Sequence, residues 1–120
     1  MSLGTVAVVE DDLDIREVVR MVLEASGYSV LEASEGAEAL SVVRGRRPCV
    51  ILLDLMMPGM DGFQFREAQL QDPEIAGIPV VIVSGAGGIP EKAARLGAAG
   101  YLVKPTDVQR MLAVVGELCR

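Results

Sequence analysis

The chain has 120 residues, a hydrophobic fraction of 51% and a formal net charge of −6, with no histidine. That length suits a single core of about 100–150 residues, and so apolar a composition argues against disorder. No apolar run nears the roughly 20 residues that cross a bilayer, no basic-then-apolar leader opens the chain, and the acidic balance speaks against direct nucleic-acid binding.

The opening Met1, Ser2 and Leu3, native or left by cloning, carry no pattern, and residues 1–120 otherwise form one domain without linker or repeat. Residues 6–9 make a continuous apolar strand. Asp12 then caps a helix whose apolar positions Ile15, Val18, Val19, Val22 and Leu23 follow helical spacing, with Gly27 ending it. Residues 28–33 alternate apolar and polar, as an edge strand does. A short helix through Ala37, Leu40 and Val43 follows Gly36. Arg44, Arg46 and Arg47, beside Gly45 and Pro48, make a solvated basic loop in preference to a binding patch.

Cys49 leads the next apolar run, 50–53, as a small buried hydrophobe. A helix from about Gly62 to Leu70 stops before Asp72-Pro73, and residues 80–83 form another strand. Residues 90–96 make a short helix with Pro90 in its first turn, where a missing N–H is harmless. After a strand at 101–103, Thr106 and Gln109 show a capping-box pattern, and Val108, Met111, Leu112, Val115 and Cys119 line one helix face. Two distant cysteines and no histidine speak against zinc. Nothing here calls for an oxidising compartment, so a cytoplasmic location is expected.

Strand and helix thus alternate five times, which implies an α/β fold with a parallel sheet, helices on both faces and right-handed crossovers. In such sheets the site lies outside the carboxyl ends of the strands. There this chain carries Glu10-Asp11-Asp12 after strand one, Asp54 after strand three, Ser84 after strand four and Lys104 after strand five. Carboxylates gathered on one edge repel unless a cation intervenes, and a compact set of hard oxygens suits Mg2+. Asp12 is explained as a helix cap, but Asp54 is not, because the following helix begins only after Pro58-Gly59. A hydroxyl at Ser84 and an ammonium at Lys104 would both hold a dianionic phosphoryl group.

The segments Val8-Val9-Glu10-Asp11-Asp12, Leu53-Asp54-Leu55-Met56-Met57-Pro58-Gly59-Met60-Asp61-Gly62, Val83-Ser84-Gly85 and Leu102-Val103-Lys104-Pro105 resemble the response-regulator receiver family of bacterial two-component signalling. The resemblance covers essentially the whole chain. It implies a (βα)5 flavodoxin-like, doubly wound sheet of five parallel strands in the order 2-1-3-4-5. It further implies that Asp54 is the phosphoacceptor for a histidine kinase or phosphotransfer protein. Asp11 would bind Mg2+ directly, Glu10 through a water, and Met56 through its backbone carbonyl. Ser84 and Lys104 would bind phosphoryl oxygens, a cis Lys104–Pro105 bond would aim the lysine, and Asp61 would cap the helix from Gly62. Tyr101 would follow Ser84 in a conformational switch.

A receiver is a signalling module and not a conventional enzyme. Glu10 departs from the commoner aspartate, and the stretch from Ser84 to Pro90, with glycines at 85, 87 and 88, is short. That loop is expected to be mobile before phosphorylation, on a surface through which the family dimerises or meets targets. A homodimer or an attached output domain is therefore implied, without membrane or nucleic-acid contact by this domain itself. The alternative is a pseudo-receiver that binds partners without phosphorylation, against which the intact Asp11, Asp54, Ser84 and Lys104 set argues. A flavin or nucleotide domain would need a Gly-rich loop where Glu10-Asp11-Asp12 stands.

Overall fold

A computed structural model describes residues 2–85 and 87–120. Met1 of the opening segment and Ala86 of the glycine-rich loop lie outside the described residues. The elements in chain order are β1 (Thr5–Val9), α1 (Leu13–Ala25), β2 (Ser29–Ala33), α2 (Gly36–Val43), β3 (Val50–Asp54), α3 (Gly62–Leu70), β4 (Val80–Ser84), α4 (Ile89–Arg95), β5 (Gly100–Val103) and α5 (Val108–Leu118). All strands pair in parallel, in the order β2-β1-β3-β4-β5, the doubly wound order that the resemblance implied.

The unbroken apolar runs are explained by two covered faces. Val50 and Leu52 of β3 pack with Leu23 of α1 and with Met111 and Val115 of α5. Their neighbours Ile51 and Leu53 pack on the other side with Leu40 and Val43 of α2, Phe65 of α3 and Ala93 of α4. Each such fully buried aliphatic side chain contributes about 1.5–3 kcal/mol, so the centre of the sheet is the most strongly held part of the molecule. β2, at the edge, keeps Ser29 and Glu32 exposed. Ahead of the sheet, the Leu3 N–H donates to the Gly27 carbonyl at 2.8 Å.

Three local expectations are corrected. The periodic stripe of α1 is only partly covered: Leu23 is fully buried, whereas Val18 is 58% exposed and Ile15 lies half open. They border a groove of about 320 Å³ between α1 and the start of α5, also lined by Val22, Pro105, Val108 and Met111. Periodicity marks a face as apolar and does not say that something covers it.

The cap of α5 is Asp107 and not Thr106, since the helix starts one residue later than the capping-box pattern implied. Its carboxylate accepts from the N–H groups of Gln109 (2.9 Å) and Arg110 (3.2 Å), and a carboxylate at a positive helix end is favoured over a hydroxyl. Cys49, finally, is no buried thiol: it is disulfide-bonded to Cys119, with their Cα atoms 5.1 Å apart. The sheet brings the start of β3 beside the end of α5, a meeting of residues 70 apart in sequence.

Candidate functional site

Four of the five strands, β1, β3, β4 and β5, deliver a polar group to the same edge, because parallel register sets the ends side by side. Val9 is level with Leu53, Asp54 with Val83, and Ser84 with Val103. β1 therefore runs into Glu10, β3 ends at Asp54, β4 at Ser84, and Lys104 follows β5. Glu10, Asp54 and Ser84 are buried, while Asp11 stands exposed at the rim.

The Lys104 ammonium bridges two carboxylates. It donates to Asp54 Oδ2 at 3.1 Å and pairs with Glu10 Oε1 at 2.6 Å. The remaining oxygens are also held: Asp54 Oδ1 accepts the Met56 N–H at 3.1 Å, and Glu10 Oε2 accepts the Asp12 N–H at 3.2 Å. Burial pushes the Glu10 carboxyl up to about 7, against the lowering by Lys104 and with Asp54 adding to the rise. For Lys104 burial works downward, but the hydrogen bonds to Glu10 and Asp54 prevail and hold its ammonium above the ordinary value. The Lys104–Pro105 bond is cis.

One oxygen each from Glu10, Asp11 and Asp54 lie within 4.8 Å of one another, a set that could hold a metal ion. The donors are all carboxylate oxygens, the chemistry preferred by a hard divalent cation. Met56 turns its side chain to solvent while its N–H engages Asp54. Ser84 and Tyr101 share a sheet face, since Tyr101 is level with Ile82, two residues before Ser84. Tyr101 packs half-buried against the α2–α3–α4 side of the core.

Local sequence explains how the loop after Asp54 returns to α3. Asp61 caps that helix in a reciprocal box with Gln64. Gly62 is needed there because a Cβ would stand 2.5 Å from the Asp54 carbonyl oxygen.

Sequence reasoning missed Arg16 of α1. Its Nη1 donates to the Glu10 carbonyl at 2.8 Å and its Nε to Glu32 of β2 at 3.2 Å, so it anchors the acidic turn. An arginine one turn into the helix after three acids was the available signal. Also unanticipated was the direct Glu10–Lys104 pair, for which the extra methylene of Glu10 was the only hint.

The profile of the response regulator receiver domain family matches residues 6–116. The chain belongs to that family. Among its relatives, the DNA-binding dual master transcriptional regulator RpaA of Synechocystis sp. is 37% identical over 117 residues, 96% of this chain but 48% of RpaA. Protein PilH of Pseudomonas aeruginosa is 32% identical over 118 residues, 97% of this chain and 98% of PilH. The receiver thus spans about half the length of RpaA and nearly all of PilH. In structure it is similar to the chemotaxis response regulator CheY4 of Vibrio cholerae, with a TM-score of 0.86 at 31% identity, covering 96% of this chain and 98% of the other. Receivers are signalling domains of two-component systems. No helix among the described residues is long and apolar enough to cross a membrane.

Proposed function

We propose that this receiver accepts a phosphoryl group on Asp54 from the phosphohistidine of a histidine kinase or phosphotransfer protein. The observation that carries the reading is the Asp54 carboxylate itself, buried at a strand end and held at one oxygen by Lys104 and at the other by a backbone N–H. An Asp54 oxygen forms the new P–O bond as the donor P–N bond breaks, and the imidazole leaves with the bonding electrons. The transition state is loose, so positioning and charge neutralisation supply most of the catalysis. Lys104 provides one positive charge next to the accepting oxygen.

Mg2+, held by Asp11, Asp54 and the Met56 carbonyl and by Glu10 through a water, would supply the remaining charge neutralisation for the phosphoryl oxygens. Ser84 would then donate its hydroxyl to a phosphoryl oxygen, and Tyr101, on the same face, would follow it inward. Such a switch needs a bias of only a few kcal/mol between two states. On this reading the chain is a signalling phosphoacceptor that assists its own phosphorylation, working in the cytoplasm where ATP charges the kinase. The phosphorylated surface would act on a second copy, a target protein or an attached output domain.

The test is intact-mass analysis after incubation with Mg2+ and acetyl phosphate, beside Asp54→Asn. One added phosphoryl group, dependent on Mg2+ and missing from the variant, is the expected outcome. No adduct on the parent chain, together with no beryllofluoride complex, would leave a phosphorylation-independent interaction module as the function.

A further inference from the structure

The Cys49–Cys119 bridge lies at the edge of the sheet opposite the phosphoacceptor. Cys49 precedes β3 while Asp54 ends it, and five residues of strand separate the two by about 16 Å. Both cysteines are only partly buried, within reach of small reagents. Gly4 leaves the room they need, since a Cβ there would stand 3.0 Å from Cys49 Sγ. The bridge closes a loop that contains Asp54, Ser84 and Lys104, and it is the covalent tie between α5 and the central strand.

Apart from that tie, the end of α5 is weakly held. The buried residues of the helix are Met111 and Val115. Beyond Val115, among the described residues, Leu118 is half-buried, Gly116 lies beside the Tyr28 hydroxyl, and the Cys119 N–H donates to the Val115 carbonyl at 2.9 Å, a bond internal to the helix. Opening the bridge therefore frees the last turn of α5 without touching the acidic site.

We propose that Cys49 and Cys119 are a reversible redox-modification site whose state decides whether the end of α5 is tied to β3. In oxidation the two thiols lose two electrons and two protons to hydrogen peroxide, which becomes two waters, and the S–S bond forms. In reduction a low-molecular-weight thiol attacks one sulfur, and a second thiol molecule resolves the mixed disulfide. Two small thiols leave as their own disulfide, and both cysteines regain their protons. The receiver would then carry two inputs at opposite edges of one sheet, phosphorylation at one and thiol status at the other.

The experiment uses the full chain. Peroxide-treated and glutathione-treated samples are alkylated and weighed intact, and hydrogen exchange is followed across residues 108–119. Two alkylated thiols are expected after millimolar glutathione and none after peroxide, with faster exchange at the end of α5 in the reduced form. A bridge closing so long a loop should also raise the melting temperature by on the order of 10 °C, a difference abolished in Cys119→Ser. Free thiols after peroxide would overturn the proposal, as would a bridge that survives glutathione. So would equal α5 exchange in the two forms, which is read on the parent chain and does not depend on the variant folding.

Discussion

At position 10 one methylene beyond aspartate carries the carboxylate to 2.6 Å from the Lys104 ammonium. The lysine that would greet a phosphoryl group is thus shared beforehand between Glu10 and Asp54. Burial raises the Glu10 carboxyl from its ordinary 4.5 to about 7. The folded chain then binds a proton that the unfolded chain has released between those values, so this residue's contribution to stability falls as pH rises through that window. At 1.36 kcal/mol per pKa unit, discounted for the pairing with Lys104, the loss is on the order of 2 kcal/mol. Urea unfolding of the metal-free protein and of Glu10→Gln at pH 4.5 and 7.5 should show it as a difference between the two chains. A pH-independent difference would mean that Glu10 stays ionised throughout in the folded state.

At the level of elements, the starts of α1, α2, α3 and α5 are set by one or two side chains, whereas α4 begins after Gly88 without a side-chain cap. α1 has Asp12, readable in advance because caps are local, and α3 has the Asp61–Gln64 box, of which the family resemblance implied Asp61 alone. α5 is the exception, since Thr106 and Asp107 are adjacent candidates and only the path of the chain after Pro105 selects between them. Asp107→Ala is expected to cost about 1 kcal/mol of stability and Thr106→Ala a few tenths. Chemical denaturation of the two variants side by side checks this, and the reverse order would return the cap to Thr106.

At the scale of the whole molecule, the buried cation Arg66 links α3 to the turn after α4. The Arg66 guanidinium donates to the carbonyls of Leu96 (2.9 Å) and Gly97 (3.0 Å) and to Gln69 Oε1 (2.8 Å). All three partners are neutral, and burial pushes the guanidinium pKa down. The arrangement is tolerable because the carbonyl end of α4 carries partial negative charge. Gln69 extends the link by donating to the carbonyls of Ile75 and Ile78, before β4. Arg66→Met should cost about 2–4 kcal/mol, because two carbonyls and an amide oxygen lose their donors together. Urea unfolding measures it directly, and a cost near zero would mean that water takes over the bonds.

The five strands, their order of appearance and the polar groups at their ends were legible in the linear chain, because apolar runs, glycine and proline breaks and capping residues act within a few positions of themselves. Glu10, Asp11, Asp54, Ser84 and Lys104 could be assigned to one edge by the single rule that parallel strands end on the same side. Folding in three dimensions settled the contacts between distant segments: Lys104 reaching Glu10 as well as Asp54, Arg16 holding the Glu10 carbonyl, Cys49 meeting Cys119, and Ile15 and Val18 bordering an open groove. Hydrophobic period and turn chemistry report how each segment folds locally. Which side chains meet across the sheet depends on distances of a few ångströms between segments tens of residues apart, and no local pattern encodes those.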